Sequence, residues 1–162
     1  ASSAGKCRFS EQCGARKSYS YTESDFVEAI AADYGGVDVV LDIVGGEYFR
    51  KNLKLLKPYG RMVSLAFLEA AKEELNMAPL LFKQLSWYGL TLRGRSASQK
   101  AQLVAEIKQY CWDWLVNKQV VPVIDEEFDL RDAEKAHKKM QQNLNLGKIH
   151  PFRRKGPRRK AH

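Results

Sequence analysis

The residues of this chain with the clearest chemical potential sit in three short stretches, each following an apolar run. They are Asp42-Ile-Val-Gly-Gly46, Leu65-Ala-Phe67 and Leu92-Arg-Gly-Arg-Ser96. In an open parallel sheet, ligands lie beyond the carboxyl ends of the strands. Glycine pairs there allow another group to come close to the backbone. Such glycines also simply turn the chain, and Arg93 and Arg95 equally suit a solvated surface. What favours a ligand edge is that all three stretches occur on what reads as one sheet.

Other reactive residue types offer less. Cys7, Cys13 and Cys111 are odd in number and lack metal-ligand spacing, so they read as small buried hydrophobes. No zinc ligand set is visible. His137 reads as a helix-surface residue. Neither G-x-G-x-x-G nor a P-loop occurs, so no glycine-rich turn is available to cradle a pyrophosphate.

The elements that must position these stretches alternate. Lys17 to Tyr21 reads as a short strand. Thr22 to Asp33 reads as a helix with near capping-box spacing between Thr22 and Asp25, stopped by Gly35-Gly36. Val37 to Val44 is apolar at almost every position, the mark of a central parallel strand covered on both faces. Glu47 to Leu56 is an amphipathic helix with Phe49, Leu53 and Leu56 on one stripe, closed by Pro58-Tyr-Gly60. Arg61 to Phe67 is a second apolar strand. After the polar segment Glu69 to Asn76 come a short helix, Pro79 to Gln84, and a strand, Ser86 to Leu92. A long helix, Ser98 to Asn117, carries Leu103, Ile107, Tyr110 and Trp114 at apolar spacing. Val120 to Ile124 is extended, Asp129 caps a helix from Leu130 to Gln142, and Gly147-Lys-Ile149 starts a last strand, interrupted by His150-Pro151. This order implies an α/β fold, a parallel sheet with helices on both faces.

Length and charge bound the rest. The chain has 162 residues, 44% hydrophobic and 28% charged, enough for about one domain. The net charge of +8 is concentrated at the end, where Arg153, Arg154, Lys155, Arg158, Arg159 and Lys160 occur without an acid. The other 21 Lys and Arg face 19 Asp and Glu, so the body is nearly neutral. The tail could attract polyanions in a salt-sensitive way, but a charge run is usually a solvated end. No apolar stretch is long enough to span a membrane and no signal peptide is readable, so a cytoplasmic protein is expected.

Several segments together resemble one family. Ala1-Ser-Ser-Ala-Gly-Lys6, Cys13-Gly-Ala15, Tyr21-Thr-Glu-Ser-Asp-Phe26, Val37 to Gly46, Gly60-Arg-Met-Val-Ser64, Leu90 to Ser96, Pro122-Val-Ile-Asp125, Ala133 to His137 and Gly147-Lys-Ile149 are similar, in order and spacing, to the quinone oxidoreductase (zeta-crystallin-like) family of medium-chain dehydrogenases/reductases. The resemblance covers residues 1 to 149. It implies a C-terminal fragment: a truncated Rossmann-type doubly wound sheet whose first strand and glycine turn would precede Ala1. Residues 1–119 would form the partial dinucleotide-binding domain, 120–149 a segment returning to a catalytic domain, and 150–162 a basic disordered tail.

The same resemblance implies site residues. Ser2, Ser3, Lys6 and Tyr21 match positions that hold the adenosine 2′-phosphate of NADPH. A compact ammonium with hydroxyl donors suits a phosphate dianion, and no acid lies between Ala1 and Lys6 to prefer an unphosphorylated ribose. Ile43, Val44 and Gly45 with Leu65, Ala66 and Phe67 would line the ribose path. Arg93, Arg95 and Ser96 would lie toward the nicotinamide, with Lys148 also approaching. The implied activity is zinc-independent hydride transfer from NADPH to a quinone or enone, with the cofactor carrying the chemistry. No general acid can be named. An edge-to-edge homodimer through the Ser86 to Leu92 strand is expected. The alternatives are an inactive cofactor-domain remnant and an interaction module that works through its basic tail. The chain departs from the family pattern in placing Glu69-Ala-Ala71 after the second apolar strand, where glycines are usual.

Overall fold

The computed structural model describes residues 1–152, so the basic run from Arg153 onward lies outside the described residues. Two compact units are present, residues 1–102 and residues 103 onward.

The first unit is built on a parallel sheet in the order β1-β2-β3, with β1 Val37–Asp42, β2 Leu56–Ser64 and β3 Ser86–Gly89. Helix α1 (Ala4–Gln12) and helix α2 (Phe26–Tyr34) precede it. Helix α3 (Glu47–Leu55) connects β1 to β2, and the single turn α4 (Ala78–Phe82) leads to β3. The amphipathic stripe of α3 meets the sheet as its spacing requires. Phe49, Leu53, Leu56 and Met62 form the core, with Val37, Val40, Leu75, Leu85 and Trp87 packed around them. Lys83 fixes the end of α3. Its Nζ donates to the carbonyls of Lys54 at 2.8 Å and Leu56 at 2.7 Å, with Leu53 at 3.4 Å, supplying donors to helix-end acceptors that would otherwise lack them.

The sequence expectations need correction at several points here. β1 is an edge strand, with Val39 47% and Leu41 67% exposed, not a central strand covered on both faces. Its apolar run reports a preference for burial, and only β2 flanks it. Lys17 to Tyr21 forms no strand. Its backbone meets another extended segment only at Ala1, Ala1 N donating to Tyr19 O and Tyr21 N to Ala1 O, and a single bridge does not make a ladder. Helix α2 starts at Phe26, not Thr22. Asp25 caps it by accepting from Val27 N at 2.8 Å, while the Thr22 hydroxyl is engaged with Ser20 and with Ser2 O. β2 starts at Leu56 and carries Pro58-Tyr-Gly60 within it, because an irregularity between Val37 and Val39 absorbs the extra residues. The breaker residues there bend a strand instead of ending one.

The second unit contains most of helix α5 (Ala97–Val116), strand β4 (Ile124–Asp129), a 3₁₀ turn (Leu130–Asp132), helix α6 (Ala133–Gln141) and strand β5 (Lys148–Phe152). Asp129 caps the 3₁₀ turn by accepting from Arg131 N at 3.0 Å. β4 and β5 pair in parallel through Pro151 and Phe152, so the expected interruption at His150-Pro151 does not occur. In a two-stranded ladder a strand bonds on one side only, and a proline on the other side removes nothing. Most of the periodic residues of α5 are not covered: Leu103 is half-buried, but Ile107 is 52%, Tyr110 66% and Trp114 49% exposed. Periodicity marks the face that would be buried, not the presence of a cover. Lys139 ties α6 to β4 through Asp125 at 2.5 Å and Glu126 at 2.7 Å.

Candidate functional site

The carboxyl ends of β1, β2 and β3 converge, as the parallel order demands. Leu90 N donates to Ser64 O at 3.0 Å, bringing the end of β3 to that of β2. The segments after β1 and β2 run side by side. Leu65 N donates to Asp42 O (2.8 Å), Leu68 N to Ile43 O (3.2 Å), Glu69 N to Val44 O (2.9 Å) and Gly46 N to Ala70 O (2.9 Å). Ile43, Val44, Gly45, Leu65, Ala66 and Phe67 therefore belong to one surface. Gly45 makes the approach possible. Its φ is +75°, and a Cβ there would sit 2.4 Å from Ala70 O. Asp42, 3% exposed, turns its carboxylate into the same loop. Oδ1 accepts from Val44 N at 3.0 Å, and Gly45 N is shared by Oδ1 and Oδ2 at 3.3 Å each.

A cavity of about 370 Å³ opens at this edge. Tyr21, Ile43 and Val44, all singled out from the sequence, line it, together with Tyr19, Phe26 and Tyr48. Ala1 reaches its rim. Ser2, Ser3 and Lys6 follow directly: Ser3 caps α1 by accepting from Lys6 N at 3.3 Å, and Thr22 Oγ1 donates to Ser2 O at 3.3 Å. The start of α1 and the Tyr21 segment are thus neighbours.

The aromatic lining was not anticipated. Phe26 and Tyr48 stack with centroids 5.6 Å apart at 13°. Lys51 Nζ lies 5.2 Å from the Tyr48 ring centre and 5.8 Å from that of Phe26, an arrangement favoured by the ring quadrupole. Lys51 also binds Glu47, one turn earlier, which raises its pKa; burial raises that of the Tyr48 phenol. A usable signal existed, since Phe26 and Tyr48 each lie in the first turn of a helix next to the carboxyl edge of the sheet. On the other side, Asp33 accepts from Lys17 Nζ and from Tyr19 OH at 2.6 Å, fastening the Lys17 to Tyr21 segment to α2. Those bonds, from Lys17 first, lower the Asp33 pKa, and burial followed by the Asp33 bond raises that of Tyr19.

The third stretch is arranged differently. Arg93 and Arg95 flank a turn closed by Arg95 N donating to Leu92 O at 3.3 Å. The Ser96 hydroxyl accepts from Gln99 N at 3.2 Å while Gln99 Oε1 accepts from Ser96 N at 2.9 Å, a reciprocal cap on α5. Lys148 lies in the second unit, at the start of β5, and is exposed. His137 is an exposed residue of α6. Among the described residues no group of three or more His, Cys, Asp or Glu could hold a metal ion. No helix among them is long and apolar enough to cross a membrane.

Comparison with known proteins agrees with this architecture. The family model described as zinc-binding dehydrogenase matches residues 13–149. The quinone oxidoreductase-like protein 2 of Bos taurus is 31% identical over 150 residues, covering 89% of this chain and 42% of that protein. A putative alcohol dehydrogenase from Sinorhizobium meliloti 1021 superposes with a TM-score of 0.71 at 25% identity, covering 92% of this chain and 40% of its own. CurA from Vibrio vulnificus, solved in complex with NADPH, superposes with a TM-score of 0.73 at 20% identity, covering 95% and 48%. The chain thus spans about two fifths of the length of the curated relative above.

Proposed function

Because the chain belongs to the zinc-binding dehydrogenase family of medium-chain oxidoreductases, we propose that its first unit holds the adenosine end of NADPH. In this reading Ser2, Ser3, Lys6 and Tyr21 bind the 2′-phosphate, and Ile43 to Gly45 with Leu65 to Phe67 carry the riboses. Arg93, Arg95 and Ser96 lie toward the nicotinamide. The observation that carries the reading is the cavity of about 370 Å³ shared by Tyr21, Ile43 and Val44, with Ala1, the residue before Ser2, at its rim. An ammonium and hydroxyls beside an apolar, aromatic-lined hollow suit a phosphorylated adenosine: charge-assisted bonds for the phosphate, ring faces for the base. The described residues do not fit the zinc of the family's description, and no step is assigned to a metal.

When bound, NADPH would supply a hydride, delivered by the whole protein to a quinone or an enone. The protein's part is to fix the cofactor's geometry and electrostatics. We further assign a cytoplasmic location and an edge-to-edge homodimer through β3, whose outer side carries no strand of its own sheet among the described residues.

Fluorescence titration with NADPH and with NADH tests the cofactor reading. One charge-assisted contact contributes about 1.5–3 kcal/mol, so Lys6→Glu should weaken NADPH binding by about tenfold or more and leave NADH unchanged. Equal affinity for the two cofactors, or no response to millimolar NADPH, refutes it.

A further inference from the structure

Asp42 is a carboxylate held almost wholly out of water at the end of β1. A buried charge is tolerated only when hydrogen bonds replace its hydration. Here the replacements are backbone N–H groups of the next loop, those of Val44 and Gly45. The same residue's main-chain oxygen accepts from Leu65 N at 2.8 Å, at the first position after β2. One residue therefore fixes both segments that line the sheet's ligand edge, the first through its side chain and the second through its backbone.

We propose that Asp42, which also borders the cavity, is a positioning residue that holds these two loops in register and so sets the affinity for the cofactor. The inference rests on the cofactor reading given above. The geometry requires a carboxylate in particular. Gly45 N is shared between both oxygens. An amide of the same shape turns an NH₂ toward one of those N–H donors, so one bond becomes a repulsion. The loop cannot compensate by moving, because Gly45 and Gly46 are already held against Ala70.

The test uses the full chain, NADPH as probe, and two variants. Asp42→Asn is expected to weaken NADPH binding by about tenfold, the effect of losing one charged hydrogen bond's ordering. It should also speed amide exchange at Val44, Gly45 and Leu65 by at least about tenfold relative to the rest of the sheet. Lys83→Met, which loosens the end of α3, serves as the control for general destabilisation: at equal loss of melting temperature it should leave NADPH affinity and exchange at those three amides unchanged. If Asp42→Asn does not fold, Asp42→Ser, which retains a shorter acceptor, is measured in its place. The proposal is overturned if the Asp42 variant binds NADPH as the native chain does, or if Lys83→Met weakens binding equally. A native chain that ignores NADPH overturns the cofactor reading and the affinity claim together; the exchange rates then decide whether the loop clamp itself survives.

Discussion

Gly35 and Gly45 offer a controlled comparison, because both have a positive φ and they differ in what surrounds them. Their φ values are +68° and +75°. At Gly35, which ends α2, a Cβ would have nothing within 4 Å; at Gly45 it would lie 2.4 Å from Ala70 O, 3.2 Å from Phe67 Cδ1 and 3.4 Å from Phe49 Cζ. Alanine at such φ costs about 1–2 kcal/mol in folded-state strain, partly offset by about 0.4–1 kcal/mol from a less flexible unfolded chain. Gly35→Ala should therefore cost about 1 kcal/mol. Gly45→Ala adds the displacement of a backbone carbonyl that accepts from Gly46 N at 2.9 Å. Losing that bond costs about 1 kcal/mol, so the total should reach about 2–3 kcal/mol, a large part of a marginal stability of about 5–15 kcal/mol. Urea unfolding followed at the Trp87 indole N–H resonance reads the first unit alone; Trp112 and Trp114 belong to the second. Equal losses at the two glycines, or a larger loss at Gly35, would refute the claim that Gly45 is required by close approach.

Three further outcomes are expected. Lys83→Met removes the donor to the α3 carbonyls and should destabilise the first unit by about 1–3 kcal/mol, visible in the same urea experiment; no change would mean that water replaces the ammonium without loss. Leu53→Ala, at a site 2% exposed in the core, should cost about 2–5 kcal/mol, and a loss under about 1 kcal/mol would contradict the packing described. Asp33, whose pKa is lowered by Lys17 and Tyr19, contributes stability that is present above the ordinary aspartate value of about 3.9 and is lost as pH falls through its lower folded value. Its carboxyl carbon should titrate below a free aspartate by NMR, and Lys17→Met should raise the midpoint. A midpoint that Lys17→Met leaves unmoved would rule out the ion pair as cause.

The parts of the fold legible in the sequence were those written in local spacing. Phe49 and Leu53 declare one face of α3, and that face is the core, where Leu56 joins it from β2. Gly35 declares the end of α2, and it is left-handed there. What misled was composition read without neighbours. The apolar run of β1 implied two covered faces, but cover is supplied by other segments, and β1 has a strand on one side only. Pro58-Tyr-Gly60 and His150-Pro151 read as stops, yet both lie inside strands: the first falls in an unpaired irregularity of the β1–β2 register, and the second keeps its ladder because a proline matters only on the bonded side.

The candidate site divides along the same line. Its location followed from topology: parallel strands must end at one edge, so Ile43 to Gly45 and Leu65 to Phe67 had to meet there. Its lining depended on a contact between helices that no local pattern encodes. Phe26 and Tyr48 lie 22 positions apart and stack only because α2 and α3 pack together. Asp42 was equally hidden, since one acid at the end of an apolar strand could as well have faced solvent. Its burial is explained only once the Val44 and Gly45 N–H groups turn back toward it, and that turn depends on Gly45 adopting a φ open to few other residues. The glycine pair is readable as a turn; that the turn encloses a carboxylate is a property of the folded loop. The strand end thus marks where the candidate edge lies, while the side chains that shape it become identifiable only after the backbone has closed.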